Sequence, residues 1–281
     1  MESLMSRYRP KKMADVLGQQ EVTRALSLFV QEPYSCAMVF HGESGVGKTA
    51  TAQALAYELG CQVEQAELGG LHEIRSGEMR VERVEAIFQL LRLRPLFGSG
   101  WKILICNEAD RMGLPVETLW LDALEKLPPR TVVIFTTNAI SRLSRRFRDR
   151  CEAYHFSSDT EVLKPHIRDL AERVWAAEGC GGEIPGIEDL GMPTLGDMDS
   201  MHASFRLALQ QLGRYVRECK QGGEQRLQHV RQQLAKDCLV FGDKDRIEAE
   251  CDFCHHVQVV KAGREQHRCT RCGQTFALEL V

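Results

Sequence analysis

Eight residues, Gly42-Glu43-Ser44-Gly45-Val46-Gly47-Lys48-Thr49, constrain this chain more than any other stretch. They fit the pattern GxxxxGK[ST] and stand between an apolar run, Ala37–His41, and a stretch of helical spacing, Thr49–Leu59. A glycine-rich turn between strand and helix lets backbone N–H groups curl around phosphate oxygens, and the helix points its positive end at them. Lys48 adds a point charge on the terminal phosphates, and the Thr49 hydroxyl is suited to hold Mg2+. Gly42 through Ala50 are therefore the first candidate cofactor-binding residues, with ATP and Mg2+ as the cofactors.

The residues around this turn alternate strand-like runs with helical stretches. Ala37–His41, Gln62–Ala66, Lys102–Asn107, Thr131–Thr137 and Glu152–Phe156 read as short strands. Three are nearly continuous apolar runs, as strands covered on both faces are. Thr49–Leu59, Met79–Leu91 and Val116–Leu127 carry helical spacing; in the second, Val81, Val84, Ile87, Phe88 and Leu91 share one stripe. Strands alternating with helices predict an α/β fold on a parallel sheet. From Asp159 the strands stop. Thr160–Ala177 reads as a helix and Gly179 to Gly196 as turns. Met198–Cys219 and Glu224–Cys238 read as a helical hairpin broken near Gly222 and Gly223, and a charged bridge, Gly242–Glu250, leads on.

Composition removes several classes. A formal net charge of −3 gives no overall basic excess, so any nucleic-acid contact must come from a local patch. No apolar run approaches the roughly 20 residues that span a bilayer, and the opening residues lack the apolar core of a signal peptide. Of the 11 cysteines, seven are scattered, several inside apolar runs, as reduced thiols are. The expected location is cytoplasmic, away from membranes.

A second apolar strand, Trp101 to Cys106, ends in Asn107-Glu108-Ala109-Asp110. Acidic residues at such a strand end hold Mg2+ and polarise the attacking water. Glu108 is the obvious base, while Asn107 offers the metal an amide without charge. Thr136-Thr137-Asn138 closes the next strand, where Asn138 would lie beside Glu108 and orient water or touch the terminal phosphate. A lone Asn after a strand is also an ordinary turn residue.

Together these residues resemble the clamp-loader branch of the AAA+ ATPases, the replication factor C small subunits and their bacterial relatives. Arg7-Tyr8-Arg9-Pro10 and Asp15-Val16-Leu17-Gly18-Gln19 resemble the family's opening YRP…DVxGQ. By that resemblance Tyr8, Arg9, Pro10 and Val16 lie against the adenine. Leu124 to Thr131 and Phe135 to Asn138 resemble the LEEPP…T…ATN stretch, and Asp149-Arg150-Cys151 stands where the family has SRC. The resemblance implies Arg150 as an arginine finger reaching a neighbouring subunit's ATP, completing a catalytic set of Lys48, Glu108, Asn138 and Arg150. It implies an AAA+ P-loop domain over residues 1–157 and a helical lid over 158–212, followed here by a helical extension, 213–246. It also implies an oligomer with DNA, a sliding clamp or other AAA+ subunits as partners. Arg75, Arg80 and Arg83 correspond to a segment that tracks DNA phosphates, although an exposed helix face explains them equally. Arg142, Arg145, Arg146 and Arg148 read as a solvated or phosphate-facing cluster.

Three departures qualify the resemblance. Asn107 replaces an expected Asp, which predicts ATP binding with slowed hydrolysis. Gly196-Asp197-Met198-Asp199 resembles the lid's GDxR with Asp199 in the arginine's place, and Arg206, about two helical turns further along, reads as a poor substitute. The helical collar is missing or reduced to Leu212–Phe241. These departures leave room for a second reading, a weakly hydrolysing nucleotide-binding scaffold.

Residues 247–281 hold two CxxC pairs, Cys251/Cys254 and Cys269/Cys272. Four thiolates so placed can surround one Zn2+, and Val257, Val259 and Val260 suggest a hairpin with Thr275–Leu280 as a closing strand. The prediction is a structural zinc ribbon, since so small a segment has little core of its own. Lys261, Arg264, His267, Arg268 and Arg271 make it locally basic, which suits either nucleic acid or a protein partner.

Overall fold

The apolar runs of the first half pair into one parallel sheet of five strands. In the computed structural model these are β1 (Cys36–His41), β2 (Leu71–Arg75), β3 (Lys102–Asn107), β4 (Thr131–Thr137) and β5 (Glu152–His155), in the order β2-β3-β4-β1-β5. The structure describes residues 2–63, 68–191, 203–222, 246–250, 257–261, 266–268 and 275–277. It divides into two compact units, Met1–Arg217 and Glu218–Val281.

In the first unit the helices are α1 (Leu4–Arg7), α2 (Gln20–Gln31), α3 (Lys48–Glu58), α4 (Val81–Arg92), α5 (Leu114–Leu124), α6 (Arg145–Arg148) and α7 (Thr160–Ala177); α8 (Phe205–Gly222) crosses the division. Strands β3 and β4 are buried almost throughout, which is why they read as unbroken apolar runs. One face of the sheet meets α4, α5 and α6 in a core containing Val84, Ile87, Trp120 and Phe147. An edge-on aromatic chain runs through it: Phe88 to Trp120 at 4.9 Å, Trp120 to Phe135 at 4.9 Å, Phe135 to Phe147 at 4.8 Å. Each such pair adds about 0.5–1.5 kcal/mol beyond burial. The last one anchors α6 and its arginines to the sheet.

Parallel strands point their C-terminal ends the same way, so β1, β3 and β4 deliver Gly42, Asn107 and Asn138 to one edge. Ligands bind at that edge in open α/β sheets.

The expected strand at Gln62–Ala66 is not where the sheet gains its fifth member. Gln62 and Val63 are not in a strand, and residues 64–67 lie outside those described. The strand is β2, an edge strand in which only Leu71 and Ile74 are buried. A search for apolar runs passes over it. Helix α2 likewise has no counterpart among the sequence expectations, although Val22, Leu26 and Phe29 form its buried stripe.

In the second unit β6 (Arg246–Glu250) pairs antiparallel with β7 (Val257–Lys261), and β8 (Gln266–Arg268) with β9 (Thr275–Ala277). The charged bridge of the sequence reading thus ends in a strand. The expected helix Glu224–Cys238, the Gly196–Asp199 motif and all four CxxC cysteines lie outside the described residues. No helix of the described residues is long and apolar enough to cross a membrane.

Candidate functional site

The turn from β1 into α3 is built on glycine for two separate reasons. Gly47, the residue that precedes α3, has φ +104° with open space around it, so its backbone alone demands glycine. At Gly42 a Cβ would lie 2.3 Å from the Phe156 carbonyl oxygen. No side chain caps α3, which leaves its first N–H groups for an anion.

Lys48 opens α3 and is only 8% exposed. Its Nζ donates to the carbonyls of Gly42 (2.6 Å) and Glu43 (2.7 Å) and to Asn138 Oδ1 (2.9 Å). Burial lowers its pKa to about 8; Arg206 pushes the same way, against Glu43 and Asp110. Asn138 is itself held. Asp110 Oδ1 accepts from Thr137 Oγ1 at 2.7 Å and from the Asn138 N–H at 3.3 Å. Asp110, which sequence reasoning left without a role, therefore fixes the turn that carries Asn138.

Thr49 Oγ1 donates to Asn107 Oδ1 at 2.8 Å, and Thr136 Oγ1 donates to the same oxygen at 3.0 Å. Thr49 and Asn107 present hard oxygen atoms, a donor set that suits Mg2+. Glu108, the next residue, has φ +57°, a left-handed conformation uncommon for a residue with a side chain. Its carboxylate pairs with Arg111 at 3.1 Å.

Tyr8, Arg9, Pro10, Val16, Ser44, Gly45, Val46, Gly47, Lys48, Thr49, Ala50, Asn107, Glu108 and Asn138 all line one cavity of about 420 Å³. Gly42 and Glu43 stand behind it as acceptors for Lys48. The opening segment is pinned by Tyr8, whose hydroxyl donates to Glu178 at 2.9 Å, and by Gln19, which bonds Ser157 in both directions at 2.9 Å. Gly18, with φ +70°, lies where a Cβ would strike Leu163.

Of three arginines with expected roles, two line the cavity and one does not. Arg206 lines the cavity and donates to Ser44 Oγ at 3.2 Å. Its placement corrects its reading as a poor substitute, because α8 begins only at Phe205 and brings its first turn over the loop. Arg75 also lines the cavity. Arg150 does not. It pairs with Glu125, donates to the Arg146 carbonyl at 3.0 Å, and lines a separate surface pocket with Cys36 and Cys151. Arg80, Arg83, Arg142, Arg145, Arg146 and Arg148 are exposed.

The Asp199 position and the zinc-candidate residues Cys251, Cys254, Cys269 and Cys272 cannot be placed in this way, since they lie outside the described residues. Among the described residues no cluster of three or more His, Cys, Asp or Glu could hold a metal.

Residues 38–158 match the family described as ATPase family associated with various cellular activities (AAA). The chain is 29% identical over 193 residues to a replication factor C small subunit of Methanocella arvoryzae, covering 68% of this chain and 58% of that protein. It is 26% identical over 172 residues to mouse replication factor C subunit 5, covering 60% of this chain and 50% of that one. The chain thus spans about half the length of these curated relatives. Among solved structures, the Thermotoga maritima RuvB Holliday junction branch migration motor superposes with a TM-score of 0.54 at 23% identity, over 76% of this chain and 66% of that one. The fold is the P-loop AAA+ fold, and residues 38–158 are similar to the AAA ATPase family, with replication factor C subunits among the chain's relatives.

Proposed function

We propose that this chain is an ATP-hydrolysing AAA+ subunit that acts on DNA or a DNA-bound partner in replication or repair, with ATP at the interface between neighbouring subunits. The observation that carries the reading is the convergence of Lys48, Thr49, Asn107, Glu108, Asn138 and Arg206 on one cavity at the C-terminal edge of the sheet. The ATP phosphates take over Lys48 from the carbonyls of Gly42 and Glu43, and the N-terminus of α3 faces them. Glu108 is the base toward the attacking water and Asn138 orients it, while Arg206 contacts the terminal phosphate from the lid. Arg150 of a neighbouring subunit supplies the remaining positive charge. Tyr8, Arg9, Pro10 and Val16 face the adenine. Mg2+, held near Thr49 and Asn107, would neutralise charge on the β- and γ-phosphate oxygens.

Steady-state ATP turnover measured against protein concentration, with and without primer–template DNA, tests this. The expected result is turnover that rises faster than linearly with concentration and rises further with DNA. The uncharged Asn107 favours a second reading, a nucleotide-gated scaffold. Flat, near-zero turnover with tight ATP binding would establish it instead. The resemblance to replication factor C subunits implies a sliding clamp and other AAA+ subunits as partners, and the exposed arginines Arg80, Arg83, Arg142, Arg145, Arg146 and Arg148 are candidates for DNA phosphates. The proposed layout keeps an ATPase domain to residue 157, a lid to 212, a helical extension to 246 and a zinc ribbon beyond.

The zinc proposal rests on the donor set and its placement in the chain. Cys251 and Cys254 fall in sequence between β6 and β7, and Cys269 and Cys272 between β8 and β9. A CxxC pair in the connection of each of two antiparallel hairpins is the arrangement in which four thiolates hold one Zn2+. The expected result is one equivalent of zinc per chain, released by a thiol-modifying reagent and read with a chromophoric chelator. Cys251→Ser and Cys272→Ser each lose it and the ordered second unit, while ATP binding by the first unit persists. Metal content unchanged in both variants would remove the zinc reading.

A further inference from the structure

Asn107 is uncharged where a nucleotide-bound cation gains most from a carboxylate, yet a carboxylate is bonded to it. Glu73 Oε1 accepts from Asn107 Nδ2 at 2.6 Å, and its Oε2 accepts from Gln53 Nε2 at 3.0 Å. Gln53 is in turn held by Arg9, so the carboxylate is fixed by both of its oxygens. The strand register makes this possible: Arg75 of β2 pairs with Asn107 of β3, two residues beyond Glu73 opposite Ile105. Glu73 lines the same cavity as Thr49 and Asn107.

With Nδ2 committed to Glu73, the Asn107 amide has one orientation. Its Oδ1 turns to the hydroxyls of Thr49 and Thr136. A hydrogen bond donated to an anion polarises the amide and increases negative charge on Oδ1. We infer that Glu73 is a positioning residue for the nucleotide's Mg2+: with Asn107 it forms a two-residue substitute for a single aspartate, the amide supplying the oxygen and the carboxylate the charge. This rests on the nucleotide reading above.

The test reads binding rather than turnover. Affinity of the full chain for a fluorescent ATP analogue is measured in EDTA and in Mg2+, for wild type, Glu73→Gln, and Glu73→Gln with Asn107→Asp. Loss of the carboxylate removes its repulsion of bare phosphates and its help to the cation. Glu73→Gln therefore tightens binding in EDTA and weakens it in Mg2+, cutting the Mg2+-induced gain by about five- to tenfold. Adding Asn107→Asp restores the gain. If Glu73→Gln weakens binding in both media, or in neither, Glu73 is merely structural and the inference falls. If wild type binds the analogue in neither medium, the nucleotide reading itself falls and this one with it.

Discussion

Lys48→Ala lowers ATP affinity by on the order of a hundredfold and turnover by on the order of a thousandfold, as expected for loss of a charge-assisted contact that strengthens in the transition state. Lys48 is 8% exposed, with its ammonium on two loop carbonyls and an asparagine oxygen, the placement from which the proposed phosphate contact is made. Burial has moved its pKa down to about 8. Phosphate oxygens favour the charged form and raise the pKa in the complex. The contribution of Lys48 to ATP binding is therefore complete below about pH 8 and is lost as pH climbs through 8 towards the higher pKa of the bound state. Equilibrium binding between neutral and alkaline pH should show wild-type affinity declining over that window and the alanine variant lacking the decline. A variant that binds ATP within a few-fold of wild type would remove Lys48 from the site.

The loop itself was legible in the sequence because everything it needs is local. Strand, glycines, lysine and helix follow one another without a break, and the same holds for Asn107 and Glu108 at the end of an apolar strand. What was not legible came from contacts between residues far apart in the chain. Glu73 meets Asn107 across 34 positions and Arg206 meets Ser44 across 162. Neither contact leaves a mark in local spacing. Glu73 is also hidden by its strand, since a polar edge strand carries too few apolar residues to announce itself. For Arg206 there was a usable signal: Phe205, Ala208, Leu209 and Leu212 open an apolar stripe that would have started the helix one residue before the arginine. Counting from Gly196 and Asp197 assumed that the helix had already begun. Asp110 was visible in the sequence, but the turn it fixes depends on β4 lying beside β3, which only the sheet order supplies.

Arg150→Ala slows turnover by about a thousandfold, at the lower end of the effect of a trans arginine finger, and leaves ATP binding close to wild type. The structure places Arg150 on Glu125 and the Arg146 carbonyl, beside Cys36 and Cys151 and off the nucleotide cavity, so any catalytic role is played in another chain's site. Its position after α6, which Phe147 pins to the aromatic core, makes that face rigid enough to present a charge to a neighbour. Complementation separates this from a solvated arginine. A Lys48→Ala chain keeps an intact Arg150, and an Arg150→Ala chain keeps an intact loop. Mixed in equal amounts, the two inactive variants should regain activity at about a quarter of their interfaces if subunits associate at random. Recovery in the mixture, absent from either variant alone, is an outcome that damage to folding cannot produce. If instead Arg150→Ala alone turns over like wild type, the arginine returns to the exposed cluster around it and the chain's ATP site is complete without a neighbour.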